Sequence, residues 1–311
     1  MFTQFVREGE RMLLFNLKRR KERIRTVPPR DAEFWEKSGG GLSAKTDCSF
    51  CGAAVSDVGC ARKNNEDNYI LANNMNCDSS EHSAITVSNM KLAGVWQLTG
   101  VFDGMGGGEL GELASRETAR IFLKADGELS DCHSKTEADS IVRKAFLEAN
   151  NRIVLLQKEY NIFGTTGTVL CTNGEEFKIY HLGDSRAYLK HADKLIQITE
   201  DQTLAQMKKE AGIYREDDPS AEADKHKLTE YIGRDWTKEH IRPVESLWMP
   251  VRKKDCILLC SDGLYDMCDE DGISGILRGN ASVAEMASEL VNAAKANGGE
   301  DNITCIVVLF S

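Results

Sequence analysis

Val101-Phe102-Asp103-Gly104-Met105-Gly106-Gly107-Gly108 runs from an apolar stretch into a glycine-rich turn, and Leu110, Leu113, Ala114, Ile121 and Phe122 then fall at helical spacing. This predicts a strand, a tight turn with an acid at its mouth, and an amphipathic helix. The same junction of apolar run, acid and glycine recurs. Leu258-Leu259-Cys260-Ser261-Asp262-Gly263 leads into Leu264-Tyr265-Asp266, Leu182-Gly183-Asp184-Ser185-Arg186 ends another run, and Gly299-Glu300-Asp301-Asn302 stands ahead of the last one. Side chains at strand ends are held rigidly, and glycine lets a backbone carbonyl approach a ligand closely. If these ends meet, several carboxylates share one pocket, and they cannot all stay ionised without cations. Oxygen-only donors suit Mg²⁺ or Mn²⁺, whereas zinc and copper prefer Cys or His. One Asp-Gly turn is ordinary turn chemistry. Four of them at strand ends call for a ligand.

Outward from that stretch, the runs Val95 to Phe102, Thr168 to Thr172, Phe177 to Leu182, Ala187 to Lys190, Cys256 to Cys260 and Thr304 to Phe310 are predicted strands. Asn173-Gly174-Glu175-Glu176 joins the second and third as a hairpin. Two further helical stripes are Ile141, Ala145, Ala149, Ile153 and Val283, Met286, Ala287, Leu290, Val291, Ala294. The order predicts an α+β domain with helices stacked outside sheets. Residues 201–240 differ: they are strongly charged, with a short helix around Leu204 to Ala211, and read as an excursion from the sheet beside the site.

The chain has 311 residues, 39 Lys/Arg against 49 Asp/Glu, and 41% hydrophobic residues, a globular composition with room for a large core. The charge is uneven. Residues 1–30 carry nine Lys/Arg and three Asp/Glu, leaving 30 against 46 in the remainder. So acidic a body repels nucleic-acid phosphates, which excludes that class of partner. No apolar stretch is long enough to span a bilayer, and no secretory pattern opens the chain, so a cytoplasmic address is expected. The ten cysteines then read as free thiols, Cys256 and Cys260 as small core residues, and Cys48-x-x-Cys51 lacks the second pair that structural zinc needs. Phe2, Phe5, Val6, Leu13 and Leu17 followed by Lys18-Arg19-Arg20-Lys21 predict a basic amphipathic helix over residues 1–25, suited to an anionic membrane surface, a partner or the body of the chain itself. Residues 26–47 read as a linker, so a basic arm and linker over 1–50 precede one folded domain over 51–311.

A fifth piece completes the pattern. In Gly59-Cys60-Ala61-Arg62-Lys63-Asn64-Asn65-Glu66-Asp67-Asn68, Arg62 offers a bidentate fork for phosphate, and Glu66 or Asp67 offers another carboxylate. Arg62-x-x-x-Glu66-Asp67, Phe102-Asp103-Gly104-x-Gly106-Gly107, Gly164-Thr165-Thr166, Gly183-Asp184-Ser185-Arg186, Ser261-Asp262-Gly263-Leu264-x-Asp266 and Asp301-Asn302-Ile303-Thr304, in that order, resemble the motif series of the metal-dependent serine/threonine protein phosphatases of the 2C type. Asp-Gly-Met-Gly-Gly is similar to the bacterial branch.

The resemblance implies a four-layer α-β-β-α sandwich of two antiparallel sheets flanked by helices, with the metals at one end. It implies that Asp103 bridges two Mn²⁺ or Mg²⁺ ions, with Glu66 and the Gly104 carbonyl on one side and Asp262 and Asp301 on the other. Asp184, Asp262 and Asp266 match a weaker third metal site, Arg62 the phosphate-binding and catalytic arginine, and the excursion 201–240 a variable flap. The implied reaction is hydrolysis of phosphoserine and phosphothreonine in phosphoproteins by an activated water, opposing a serine/threonine kinase, with no covalent phospho-enzyme. Neither Cys260 nor Ser261 is then a nucleophile. A phosphatase-like module that binds phosphoprotein or partner with little turnover is the alternative. One departure stands out: Met105 occupies the place where many eukaryotic members carry a histidine, and a thioether cannot donate a proton to a leaving group.

Overall fold

The computed structural model describes residues 49–76, 82–92, 94–160, 162–215, 218–235, 241–278 and 281–311, with the backbone alone at 89 and 91. The basic helix and linker expected before residue 48, and Cys48, lie outside the described residues.

Two antiparallel sheets form the centre. One has the strand order β11 (Lys194–Gln197), β10 (Arg186–His191), β14 (Cys256–Cys260), β15 (Ile303–Phe310), β1 (Ser49–Asp57), β4 (His82–Lys91). The other runs β12 (Val244–Glu245), β9 (Glu176–Leu182), β8 (Gly167–Thr172), β5 (Gln97–Phe102), β2 (Asn68–Leu71), β3 (Asn74–Met75), and β13 (Met249–Pro250) also pairs with β9. A two-stranded ribbon, β6 (Gly104–Met105) with β7 (Gly164–Thr165), continues beyond β5. The long helices α1 (Glu109–Leu129) and α2 (Lys135–Leu156) cover the second sheet. The short α4 (Asp262–Tyr265), α5 (Glu270–Leu277) and α6 (Val283–Ala296) cover the first. The helix α3 (Leu204–Glu210) lies in the excursion. This is the expected four-layer α-β-β-α arrangement.

Alternation along the strands produces three apolar layers. In β14, Ile257 and Leu259 face the other sheet with Phe177, Leu189 and Phe310, whereas Cys256, Leu258 and Cys260 face Leu277, Met286 and Leu290 of the helices. Both faces of the inner strands are therefore buried, which is why they read as continuous apolar runs. On the other side Phe102, Phe122 and Phe146 pack in sequence, with ring centroids 5.2 and 4.8 Å apart. Among the described residues no helix is long and apolar enough to cross a membrane.

The register sets the position of the acids. Asp57 pairs with Ile303, Asn68 with Phe102 and Arg186 with Cys260, so Glu66, Asp103, Asp184, Asp262 and Asp301 all leave their strands at one end of the sandwich.

Candidate active site

Each acid is fixed through its backbone. The Asp103 N–H donates to Thr166 Oγ1 at 2.9 Å, and its carbonyl accepts from Thr166 N and Thr165 Oγ1, both at 2.8 Å. Both partners belong to Gly164-Thr165-Thr166. Glu66 N donates to Asn302 Oδ1 at 2.8 Å, and the Asn302 amide donates in turn to the carbonyls of Val58 and Asn64. Thus the residue after Asp301 ties down the whole Arg62–Glu66 loop. The Glu66 Oε1 accepts from Gly108 N at 2.7 Å.

Two glycines make room for this packing. A Cβ at Gly104 would stand 2.2 Å from the Gly111 carbonyl oxygen and 2.5 Å from that of Glu66. One at Gly111 would stand 1.7 Å from Glu66 Oε2. The glycine-rich turn and the first turn of α1 can approach Glu66 only because both positions lack a side chain.

Of the two acids left open by sequence, Glu66 lies at the turn beside Asp103, while Asp67 is fully buried and accepts from Ser261 Oγ at 2.7 Å. Ser261 also accepts from Thr304 N and is itself buried, so its hydroxyl is a brace between the sheets. Cys260 is fully buried and burial pushes its thiol far up. Neither offers a nucleophile.

The electrostatics are those of a crowded carboxylate cluster. Burial, then the charges of Asp67, Asp262, Asp184 and Asp301, raise Asp103 well above the ordinary carboxylate range. Burial and Asp262 do the same to Asp184. Burial raises Asp67 to about 7, and raises Glu66 and Asp301 less, partly offset at both by Arg62. Like charges forced together in a dry site are stabilised by bound cations. With hard oxygen donors alone around Asp103, the residues present fit Mg²⁺ or Mn²⁺.

Arg62 pairs with Asp301, Nη2 to Oδ2 at 2.6 Å, with half of its side chain exposed. Asp184 is fixed from behind: Tyr265 Oη donates to its carbonyl at 3.1 Å, and the Arg186 guanidinium stacks on the Tyr265 ring at 3.6 Å while bonding both oxygens of Asp201. Arg186, though part of a motif, is thus a brace and not a phosphate ligand in this arrangement.

The excursion is folded onto the site. Beyond α3, a 3-10 turn over Pro219–Asp224 leads to Lys225, whose Nζ lies 2.7 Å from Asp266 Oδ1, and to His226, whose Nδ1 and Nε2 lie 3.1 Å from Asp262 and 3.4 Å from Asp266. Those carboxylates raise the His226 pKa. Asp266 therefore has cationic partners from the excursion. Nothing in the sequence singled out His226: it sits between lysines in a charged loop, remote from every motif.

The profile of the family described as Protein phosphatase 2C matches residues 52–211. The serine/threonine phosphatase stp of Listeria welshimeri is 33% identical over 211 residues, 67% of this chain and 82% of that protein. A crystal structure of the Mycobacterium tuberculosis serine/threonine phosphatase PstP aligns over 84% of this chain and 98% of its own, with 28% identity and a TM-score of 0.67. A second structure, the PstP catalytic domain with two manganese ions, covers 85% and 99%, with 28% identity and a TM-score of 0.65. A matching profile over half the chain, a sandwich with the same architecture and six motifs gathered at one end of it show that the chain belongs to the protein phosphatase 2C family.

Proposed function

We propose that the chain hydrolyses phosphoserine and phosphothreonine in proteins, using Mn²⁺ or Mg²⁺ held by Glu66, Asp103, the Gly104 carbonyl, Asp262 and Asp301. The observation that carries this reading is the convergence of carboxylates on Asp103, whose proton affinity burial and their charges raise, with a half-exposed arginine at their edge. When bound, a pair of divalent cations supplies an acidified water and positive charge for the phosphoryl oxygens.

The protein's own groups do the rest. Asp103, braced by Thr165 and Thr166, presents its carboxylate without reorganising. Arg62 spends one N–H on Asp301 and keeps donors for the non-bridging oxygens of a phosphate, orienting phosphorus over the cluster. The kinase partner implied by the resemblance fits this reading at the level of the family alone. The relatives, each named as a phosphatase, give no support to a binding module without turnover.

Manganese-dependent hydrolysis of p-nitrophenyl phosphate tests the proposal. Asp103→Asn and Asp262→Asn should each lower kcat/KM by about a hundredfold or more, as expected when a ligand to a reacting metal is lost. Full activity in either variant, or an activity indifferent to chelator, would refute it.

A further inference from the structure

Resting on the metal-dependent reading above, we infer that His226 of the excursion is a nitrogen ligand to a further divalent cation, completing a site with Asp184 and Asp262 and excluding Asp266. The donor atoms of Asp184, His226 and Asp262 all lie within 4.8 Å of one another. They arrive from three separate places: the turn after β9, the segment after the 3-10 turn, and the start of α4. Asp184 is only 5% exposed, and apart from its own backbone N–H no described group donates to its carboxylate. A buried carboxylate left in that state points at something still to be bound.

Asp266 has a different task. Its Oδ1 is held by Lys225 Nζ at 2.7 Å, and its Oδ2 faces His226 Nε2 at 3.4 Å, on the far side of the ring from Asp262. With Nε2–H given to Asp266, the imidazole presents its Nδ1 lone pair to the Asp184–Asp262 pair. A carboxylate behind a ligating histidine is the usual means of fixing tautomer and ring orientation. Asp266 is thus a positioning residue, and Lys225 balances its charge.

Two consequences follow from the donor set. A nitrogen donor favours Mn²⁺ over Mg²⁺ more strongly than carboxylates alone. Because one ligand belongs to the excursion and two to the sandwich, occupation of the site ties the excursion down beside Arg62 and Asp103.

Pulsed EPR of the full chain titrated with Mn²⁺ tests the assignment directly, with equilibrium dialysis and trypsin sensitivity of residues 201–234 measured on the same samples. Wild type should show ¹⁴N modulation as the weakest site fills, and the excursion should become protected. His226→Gln should lose the modulation and the protection and bind that last ion about tenfold or more weakly. Asp266→Asn should keep the modulation. The other described histidines sit elsewhere, with His82 at Asp57, His133 exposed just before α2, where its backbone N–H donates to Glu137, His181 at Thr168 and His191 at Asp255. Absence of ¹⁴N modulation in wild type, its survival in His226→Gln or its loss in Asp266→Asn would overturn the inference. Modulation without p-nitrophenyl phosphate turnover would sink the phosphatase reading and leave His226 a ligand; turnover without modulation would do the reverse.

Discussion

Met105 begins where a proton donor would be most useful, in the β6 ribbon beside Asp103, and its side chain has no proton to give. Aryl phosphates, whose leaving groups need little protonation, should be favoured over phosphoserine. Met105→His should raise the ratio of kcat/KM for a phosphoserine peptide to that for p-nitrophenyl phosphate by about tenfold or more; an unchanged ratio would dismiss the idea. Gly111 gives a second test, because a methyl group there meets Glu66 Oε2 at 1.7 Å. Gly111→Ala should weaken Mn²⁺ binding by about tenfold or more by displacing the Glu66 carboxylate, with the far-UV circular dichroism unchanged; native affinity would show that Glu66 is not a ligand. Asp103, Asp262 and Asp301 were legible in sequence because each stands beside a glycine or asparagine at the end of an apolar run or just ahead of one. His226 was not, because the partners that give it meaning are 36 and 40 residues further along and only the folded excursion brings them near.

At the scale of elements, strands buried on both faces announced themselves as apolar runs, and α1, α2 and α6 as stripes. The edge strand β4 did not: His82, Ala84, Thr86 and Ser88 are exposed and the alternation is too polar to stand out. Similarly α5, with glycines at 272 and 275, has poor intrinsic helicity and is held by Ile273 and Leu277 packing beneath it. The boundary of α6 is written locally. Ser282 Oγ accepts from Glu285 N at 3.3 Å, and Glu285 Oε2 accepts from Ser282 N at 2.8 Å. Ser282→Ala should cost about 1 kcal/mol in urea unfolding by removing this reciprocal cap; a change within error would mean that packing alone sets the start of the helix.

For the whole molecule, charge and pH act through buried groups as well as through the site. His181 is fully buried between the sheets and the excursion, its ring nitrogens at Thr168 Oγ1 and the Glu200 carbonyl, and burial lowers its pKa to about 4. The unfolded value lies near 6.5. A group depressed in the fold contributes stability above its unfolded pKa and loses it as the pH falls through the folded one, so acidification from 7 to 4 should remove ~3 kcal/mol through this residue. The carboxylates raised by burial push the other way, so the comparison is between variants. The pH slope of stability in His181→Asn should be shallower on the acid side than that of wild type, and parallel slopes would refute the assignment.

Ser49 and Ser311 exchange both backbone hydrogen bonds, N to O at 3.2 and 2.9 Å, where β1 and β15 finish at the end of the sandwich away from the carboxylates. The eight steps of β1 from Ser49 to Asp57 span roughly 27 Å. Ser49, where the described chain begins, therefore lies at the end of the sandwich opposite Asp103, Asp262 and Asp301. A phosphoprotein at the acid cluster and a partner at the Ser49 end would thus meet opposite ends of the domain and need not compete for surface.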